Sequence, residues 1–500
     1  MKALVGCVML TGWAQLLAAQ EGVGVLGTIR ERGALRWGGD ESGGAPYVFR
    51  GPEDKLTGFE VEIAEILAAK LGVRSQFIQG QWDKLPQLLD RGEIDIVLNG
   101  YEWTPERESQ WASTIPYYVY RLQLLTRRGP GSILSWEDLR AGPGVAKKRV
   151  GVLSGSAAEK YMQSQLRDAV DLKLYDGVTN AMISVTQGQI DATLQDVPIA
   201  THYASEFPEL QPAGEPVAPG YYVIFVGLKE KALREALDKA LLEALKDGSL
   251  ERIYEKYGMW NADQPALLEL AASWPPETAA PPSARAKLPA LGGQLAGAAV
   301  MTIVLSCLSM PLAILIGLMV ATGRLYGPRW VRGPLGAYVE FLRGTPLLLQ
   351  LYVIYYVLPY AGILIPAFWA AVLGLAINYS AYEAENYRAG FLAVPRGQME
   401  AALSLGMSTW TALRRVIIPQ AVRIVIPPVT NDFIALFKDT SVCSVITVME
   451  LTGMYNRLYN NNPQRVLELG ILTSILYLLM SYPLSLFARR LEGKFKRVVA

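Results

Sequence analysis

Polar and apolar positions divide the chain into two parts with opposite solvent preference. Up to about Glu277 charged residues interrupt every apolar run, whereas long apolar runs dominate after Gly292. A stretch of about twenty apolar residues is what a bilayer requires. The pattern predicts a water-exposed module at 28–260, a proline-rich linker at 261–290 that is too broken for a packed element, and a membrane module at 291–500.

Within the first module the apolar period changes repeatedly between that of a helix and that of a strand. Phe59 to Leu71 has helical spacing, while Gly92 to Leu98 and Gly188 to Leu194 are each typical of a turn followed by a buried strand. Such alternation indicates parallel α/β sheets. We predict two lobes, lobe one at about 30–122 and 222–258 and lobe two at about 123–221.

Polar residues follow the strands at which a ligand of such sheets would bind. Asn99, Gly100 and Glu102 follow the strand of lobe one, with Arg107 in the next helix start, and Asp196 follows the strand of lobe two. An arginine offers a planar fork to a carboxylate, and an aspartate accepts hydrogen bonds from an ammonium. The pair predicts a binding site for an α-amino acid, with no catalytic residue.

At these positions the module resembles the extracytoplasmic binding proteins for polar amino acids. The matching segments are Leu56 to Val61, Ile94-Asp95, Thr104 to Arg107, Arg149 to Ser156 and Gln195-Asp196. The resemblance implies that Arg107 binds the α-carboxylate, Asp196 the α-ammonium and Asp40 the polar end of the side chain. It also implies Trp82 as an aromatic wall. Backbone groups near Gly100, next to Asn99, and the loop Ser154 to Ala157, which includes Ser156, would complete the carboxylate cage.

Two departures from that family leave the ligand's side chain open. Glu102 stands where a hydroxyl residue commonly donates to the carboxylate, and Gly43-Gly44 replaces an aromatic residue. Asp40, Glu41 and Glu102 favour a ligand with a cationic or amide side chain. The favoured ligands are therefore glutamine, arginine, lysine and histidine, and glutamate is less favoured. Structural alternatives also exist: a surface arginine for Arg107, a helix cap for Asp196, core packing for Trp82 and a turn for Asp40.

Five membrane spans are predicted in the second module, at 295–321, 337–362, 366–388, 424–447 and 468–488, the fourth interrupted by charged residues. Arginine and lysine residues cluster at three positions, after the first span, between the third and fourth, and after the fifth. Such clusters mark cytoplasmic segments, so the linker end is predicted to be outside.

Gly397 to Gly406 is a polar, helix-forming segment with a glycine stop, and Ile417 to Ala421 follows it. It resembles the EAA loop of ABC-importer permeases, and the whole second module resembles their histidine/glutamine/arginine family. The family match implies a coupling loop at about 396–415 that docks on an ATPase through Glu400, Ala401, Ala402 and Gly406.

Three further strings carry the same resemblance: Phe341 to Leu347, Ala381 to Glu385 and Lys438 to Ser441. Ionisable groups are costly in apolar spans and are therefore either paired or exposed to a polar route. Glu383, Glu385 and Lys438 are candidates for the translocation path, although pairing for structure is the favoured alternative.

Composition narrows the classes of function. A net charge of +1 gives no indication of nucleic-acid binding, and one histidine with three cysteines gives none of a metal site. The chain has no Gly-x-x-x-x-Gly-Lys motif, so ATP and Mg²⁺ would be used by another polypeptide and no cofactor is expected here. Residues 1–19 are typical of a signal peptide or an uncleaved anchor.

Together these features predict a non-enzymatic importer subunit, a binding protein fused to its own permease. It would form a homodimer in the cell inner (cytoplasmic) membrane, cross it several times, and carry the binding module on the extracytoplasmic side. An ABC ATPase would act in trans. Two alternatives are an amino-acid-gated receptor or channel and an extracytoplasmic dehydratase.

Overall fold

The computed structural model describes residues 24–41, 44–140, 146–275, 288–462 and 465–499. The chain forms two compact units, one ending at Arg285 and the other beginning at Ala286. The signal segment at 1–19 and Gly43 lie outside the described residues, as do residues 276–287 of the linker.

A five-stranded sheet forms the first lobe, in the order β4-β1-β5-β12-β6. Strand β1 pairs in parallel with β4 and β5, whereas β12 is antiparallel to β5 and β6. A small hairpin of β2 and β3 accompanies this sheet. The strands are β1 (Ala34–Gly39), β2 (Phe49–Arg50), β3 (Leu56–Thr57), β4 (Arg74–Gln79), β5 (Ile96–Val97), β6 (Trp111–Ser113) and β12 (Phe225–Gly227).

The second lobe has its own five-stranded sheet, in the order β11-β7-β10-β8-β9. Strand β10 is parallel to β8 and antiparallel to β7, so both sheets are mixed and the predicted parallel pairing holds for only some of their strands. The sequence periods identify strands but do not fix their direction. The strands are β7 (Tyr118–Arg127), β8 (Lys148–Leu153), β9 (Val170–Tyr175), β10 (Ala192–Asp196) and β11 (Leu210–Tyr222).

Helices cover the sheets of both lobes. The helix predicted at 59–71 is observed as α2, which buries Phe59, Ile63 and Leu67 on one face. The two-lobed α/β fold is therefore confirmed. The helices of this unit are α1 (Val25–Arg32), α2 (Phe59–Lys70), α3 (Leu85–Asp90), α4 (Pro105–Glu108), α5 (Ala157–Gln165), α6 (Val178–Thr186), α7 (Val197–His202), α8 (Lys231–Lys246), α9 (Ser249–Lys256) and α10 (Leu267–Ala272).

The linker prediction at 261–290 is wrong for its first half. The Gln264 amide accepts a hydrogen bond from the Val119 N–H (3.0 Å) and donates one to the Val119 carbonyl (2.8 Å). Leu267 of α10 is buried, and Arg121 pairs with Asp263 at 2.6 Å. The prolines bound a short helix rather than prevent packing, so the segment belongs to the binding unit.

The second unit is helical. Its helices are α11 (Leu288–Tyr326), α12 (Arg329–Gly344), α13 (Leu347–Tyr352), α14 (Ala367–Ala393), α15 (Arg396–Ser404), α16 (Thr409–Ala412), α17 (Ile418–Asp439), α18 (Leu451–Asn461) and α19 (Val466–Val499). Helix α11 begins inside the predicted linker, because its first turn precedes the apolar run that marked residue 291.

Among the described residues, α11 and α19 are long and apolar enough to cross a membrane. They contain the first and fifth predicted spans. The third span coincides with most of α14, and the fourth begins in α17 and continues into the 3-10 helix Thr440–Ile446 that follows it. Both helices are less apolar, and these two spans stay predictions.

The second predicted span, 337–362, contains a sharp bend and stays a prediction. Helix α12 and the helical segment Leu347–Ala361 are bent by 109° at the intervening break. Thr345 is extended there, as the residue before Pro346 prefers to be, and Pro346 has no N–H to continue the helix.

Candidate functional site

A cleft of about 620 Å³, measured out to its open mouth, lies between the two lobes of the binding unit. Its lining includes seven of the nine predicted site residues, namely Asp40, Trp82, Asn99, Gly100, Glu102, Ser156 and Asp196. Tyr47, Asp176 and Gln195 join them from both lobes. The mixture of aromatic and polar groups suits a small polar ligand.

Asp40 lies at the carboxyl end of β1. Its carboxylate accepts hydrogen bonds from the Gln79 side chain (2.9 Å) and from the Trp82 backbone N–H (3.0 Å). Its own N–H donates to the Asn99 side chain at 2.8 Å. These bonds fix the carboxylate at the cleft wall.

Trp82 forms the aromatic wall that the sequence predicts. Its indole N–H donates to the Asn99 carbonyl at 2.8 Å, and its ring stacks on Tyr101 with centroids 4.7 Å apart. Because both contacts hold the ring beside the cleft, Trp82 is part of the lining as well as of the adjoining core.

Glu60 of α2 supports the cleft from behind, and the sequence analysis missed it. The fully buried carboxylate accepts hydrogen bonds from the Gly100 N–H (2.7 Å), the Tyr117 hydroxyl (2.5 Å) and the Asn99 side chain (3.3 Å). Burial raises the pKa of Glu60 to about 7. A glutamate in an amphipathic helix suggests a solvent-facing residue, and only its place in the family-like string Leu56 to Val61 marked it.

Asp196 lies at the end of β10 and immediately before α7. Its side chain makes no capping hydrogen bond to that helix, which argues against the cap alternative. Instead its carboxyl group accepts a hydrogen bond from the Tyr222 hydroxyl. Burial, and then the negative charge of Glu102, raise the pKa of Asp196 to about 8. An organic cation in the cleft would favour loss of that proton and then pair with the carboxylate.

Arg107 lies in the first turn of α4, which Thr104 caps. Its guanidinium donates to the Glu102 carboxylate at 2.5 Å and to the Glu102 carbonyl at 2.8 Å. It also donates to the Gly155 carbonyl in lobe two at 3.2 Å and lies 5.0 Å from the centre of the Tyr101 ring. Arg107 is therefore a mostly buried link between the lobes and not a surface arginine.

The carboxylate group of Glu102 lies where the sequence analysis expected the carboxylate of the ligand to lie. Besides its bond to Arg107, the Glu102 carboxylate accepts a hydrogen bond of 2.9 Å from the N–H of Ala157, at the start of α5. Only 3% of its side chain is exposed. The partners implied for an α-carboxylate, Arg107 and the loop at 154–157, are thus occupied by a residue of the protein itself.

The two serines of that loop differ in position. Ser156 lines the cleft and caps α5, accepting from the Glu159 N–H at 3.3 Å. Ser154 is not among the lining residues described for the cleft, and its N–H donates to the Tyr175 carbonyl at 2.9 Å. The structure therefore brings Ser156, but not Ser154, to the lining described for the cleft.

In the second unit, the predicted coupling loop is helix α15 followed by a left-handed turn. Gly406 has φ of +79°, and its N–H donates to the Leu403 carbonyl at 2.9 Å. Within the described residues, no atom lies within 4 Å of where a Gly406 side chain would begin, so its φ is what favours glycine. Ala402 is buried, whereas Glu400 and Ala401 are exposed.

The three candidate translocation residues occupy different settings. Glu385 pairs with Arg324 and, at 2.7 Å, with Arg388, which favours the structural alternative for that residue. Glu383 is enclosed between α14 and α11, where a side chain on Gly317 would begin 2.6 Å from the Glu383 Cβ. Lys438 is exposed near the end of α17.

Comparison with known proteins agrees with this division. Residues 35–259 match the bacterial extracellular solute-binding proteins, family 3, and residues 313–497 match the inner membrane component of binding-protein-dependent transport systems. The L-cystine transport system permease protein TcyB of Bacillus subtilis is 38% identical over 206 residues, which are 41% of this chain and 88% of that protein. The chain belongs to the amino-acid ABC permeases.

Other similar proteins are also named for amino-acid transport or amino-acid binding. The glutamine transport system permease protein GlnP of Escherichia coli is 38% identical over 199 residues, covering 39% of this chain and 90% of that protein. Among solved structures, an ancestral arginine-binding protein bound to arginine is 33% identical, with a TM-score of 0.42, and covers 45% of this chain and 98% of that one.

The two family matches and the permease relatives confirm the predicted fusion of a binding module to a permease homologous to amino-acid ABC importer components. Both matched families consist of transport components rather than enzymes. With its permease domain and the apolar helices α11 and α19, the chain is an integral membrane protein.

Proposed function

We propose that this permease is the substrate-binding and membrane-spanning subunit of an ATP-driven importer. It captures a polar amino acid, or a close derivative of one, on the extracytoplasmic side. It then passes the ligand inward when a separate ABC ATPase hydrolyses ATP with Mg²⁺. The cleft of the binding unit is the capture site, where Asp196 binds the ammonium group.

The coupling loop is the observation that carries this proposal. Beside α15, Leu405 is 81% exposed and Trp410 is 67% exposed. Tryptophan is enriched in protein–protein interfaces, and the exposed leucine adds apolar contact area nearby in the chain. The ATPase is the partner at this surface, and α15 with the turn at Gly406 supplies the docking element.

The orientation and assembly follow from the same assignment. The basic clusters after α11, between α14 and α17, and in α19 lie on the cytoplasmic side of the inner membrane, with the coupling loop among them. The binding unit then lies outside. A homodimer presents two coupling loops to two ATPase subunits.

Ligand-stimulated ATP hydrolysis tests the proposal. The full chain, reconstituted in lipid nanodiscs with an ABC ATPase that co-purifies with it, is assayed with and without a panel of polar amino acids and their amines. We expect at least one compound to stimulate hydrolysis. Hydrolysis that no compound changes, in a complex that does bind one of them, would contradict the coupling.

A further inference from the structure

Glu102 closes the part of the cleft that would otherwise receive a carboxylate. Its two carboxylate oxygens accept from the Arg107 guanidinium at 2.5 Å and from the Ala157 N–H at 2.9 Å. The Ala157 N–H and one amino group of the Arg107 guanidinium are thereby used, and the charge of Arg107 is balanced within the protein.

The rest of the cleft is acidic. Its described lining contains Asp40, Asp176 and Asp196 besides Glu102, and no lysine, arginine or histidine. A ligand therefore meets several carboxyl groups in a lining that contains no cationic side chain, with Lys84 the nearby cation that acts on Asp176. Such a lining attracts positive charge and repels a free carboxylate.

A ligand carboxylate would enter this site only by displacing Glu102. That step breaks two hydrogen bonds to charged or oriented donors and leaves two carboxylates close together in a desolvated space. Loss of a single such bond lowers affinity by about ten-fold. A ligand without a carboxylate avoids the whole penalty.

We propose that Glu102 determines the class of ligand, and that the cleft selects an organic cation with two positive groups and no free carboxylate. The decarboxylated form of a cationic amino acid has this chemistry. One ammonium pairs with Asp196, and the other cationic group lies towards Asp40, beside the aromatic face of Trp82. This inference rests on the proposed function, which makes this cleft the capture site.

Titration calorimetry of the full chain in detergent tests the proposal with two matched pairs of probes. L-arginine is compared with agmatine, its decarboxylated form, and L-lysine with cadaverine. We expect each amine to bind at least about ten-fold more tightly than its amino acid. The variant Glu102→Thr frees Arg107 and Ala157 and adds a hydroxyl group. In this variant we expect the affinity for each amino acid to rise at least about ten-fold.

Glu106→Gln is the matched control. Glu106 lies on α4, close to Glu102 in the chain, and also carries one negative charge, but it pairs loosely with Lys160 at 3.7 Å and does not line the cleft. Glu106→Gln should leave the affinities for both pairs of probes unchanged. If Glu102→Thr fails to fold, the comparison of amine with amino acid in the unaltered chain still decides.

Two outcomes would overturn the proposal. Tighter binding of the amino acid than of its amine in the unaltered chain would show that Glu102 yields to a ligand carboxylate, while leaving the capture site in place. Binding of neither member of either pair would overturn the proposal together with the assignment of the cleft.

Discussion

Gln264 provides a quantitative test of how the binding unit ends. Its amide is buried and binds both the N–H and the carbonyl of Val119 in β7, at 3.0 and 2.8 Å. Replacing it with alanine leaves two buried backbone groups without that partner, each at about 1–3 kcal/mol. Release of the glutamine side chain offsets about 1.5 kcal/mol of this cost.

We therefore expect Gln264→Ala to lower the free energy of unfolding of residues 24–275 by about 0.5–4.5 kcal/mol. Urea unfolding of that fragment measures the change as a lower midpoint at an unchanged slope. Glu269→Ala, an exposed site in the neighbouring helix α10, is the control and should change stability by no more than about 0.5 kcal/mol. Equal midpoints for the two variants would refute the inclusion of residues 261–275 in the fold.

Three further predictions concern charge and coupling. Because burial, and then Glu102, raise the pKa of Asp196 to about 8, neutral Asp196 stabilises the empty domain at low pH and this contribution is lost as pH rises through about 8. Asp196→Asn should flatten that fall in urea titrations at several pH values. Arg107→Ala should cost the empty domain about 3–5 kcal/mol, since it leaves the buried Glu102 carboxylate without its guanidinium; an unchanged urea midpoint would contradict this. Leu405→Asp should abolish ligand-stimulated ATP hydrolysis without changing affinity in the calorimeter, whereas Leu134→Asp, at another exposed leucine, should change neither.

The sequence predicted those features that depend on neighbouring residues. The period of α2, the strand ends that carry Asn99 and Asp196, and the helix that stops at Gly406 are all local patterns. Such patterns fix which side chains reach the carboxyl ends of the strands. They brought most of the predicted site residues to one cleft.

The features that the sequence did not predict depend on residues far apart in the chain. Glu102 meets Ala157 across the two lobes, and Gln264 meets Val119 across 145 residues. Neither contact has a local signature. The break in the second predicted span is different, because Pro346, which explains it, can be read directly from the sequence. That span was predicted from the length of its apolar run alone, and hydrophobicity does not indicate where a helix bends.

ATP-dependent uptake into vesicles tests the central claim most directly. The full chain is reconstituted with its co-purifying ATPase, and entry of radiolabelled arginine and agmatine is followed from the side of the binding unit. We predict accumulation of at least one compound above its external concentration, only when ATP and Mg²⁺ are supplied on the side of the coupling loop. Entry that stops at equal concentrations, at the same rate without ATP or ATPase, would contradict the importer and indicate a ligand-gated channel.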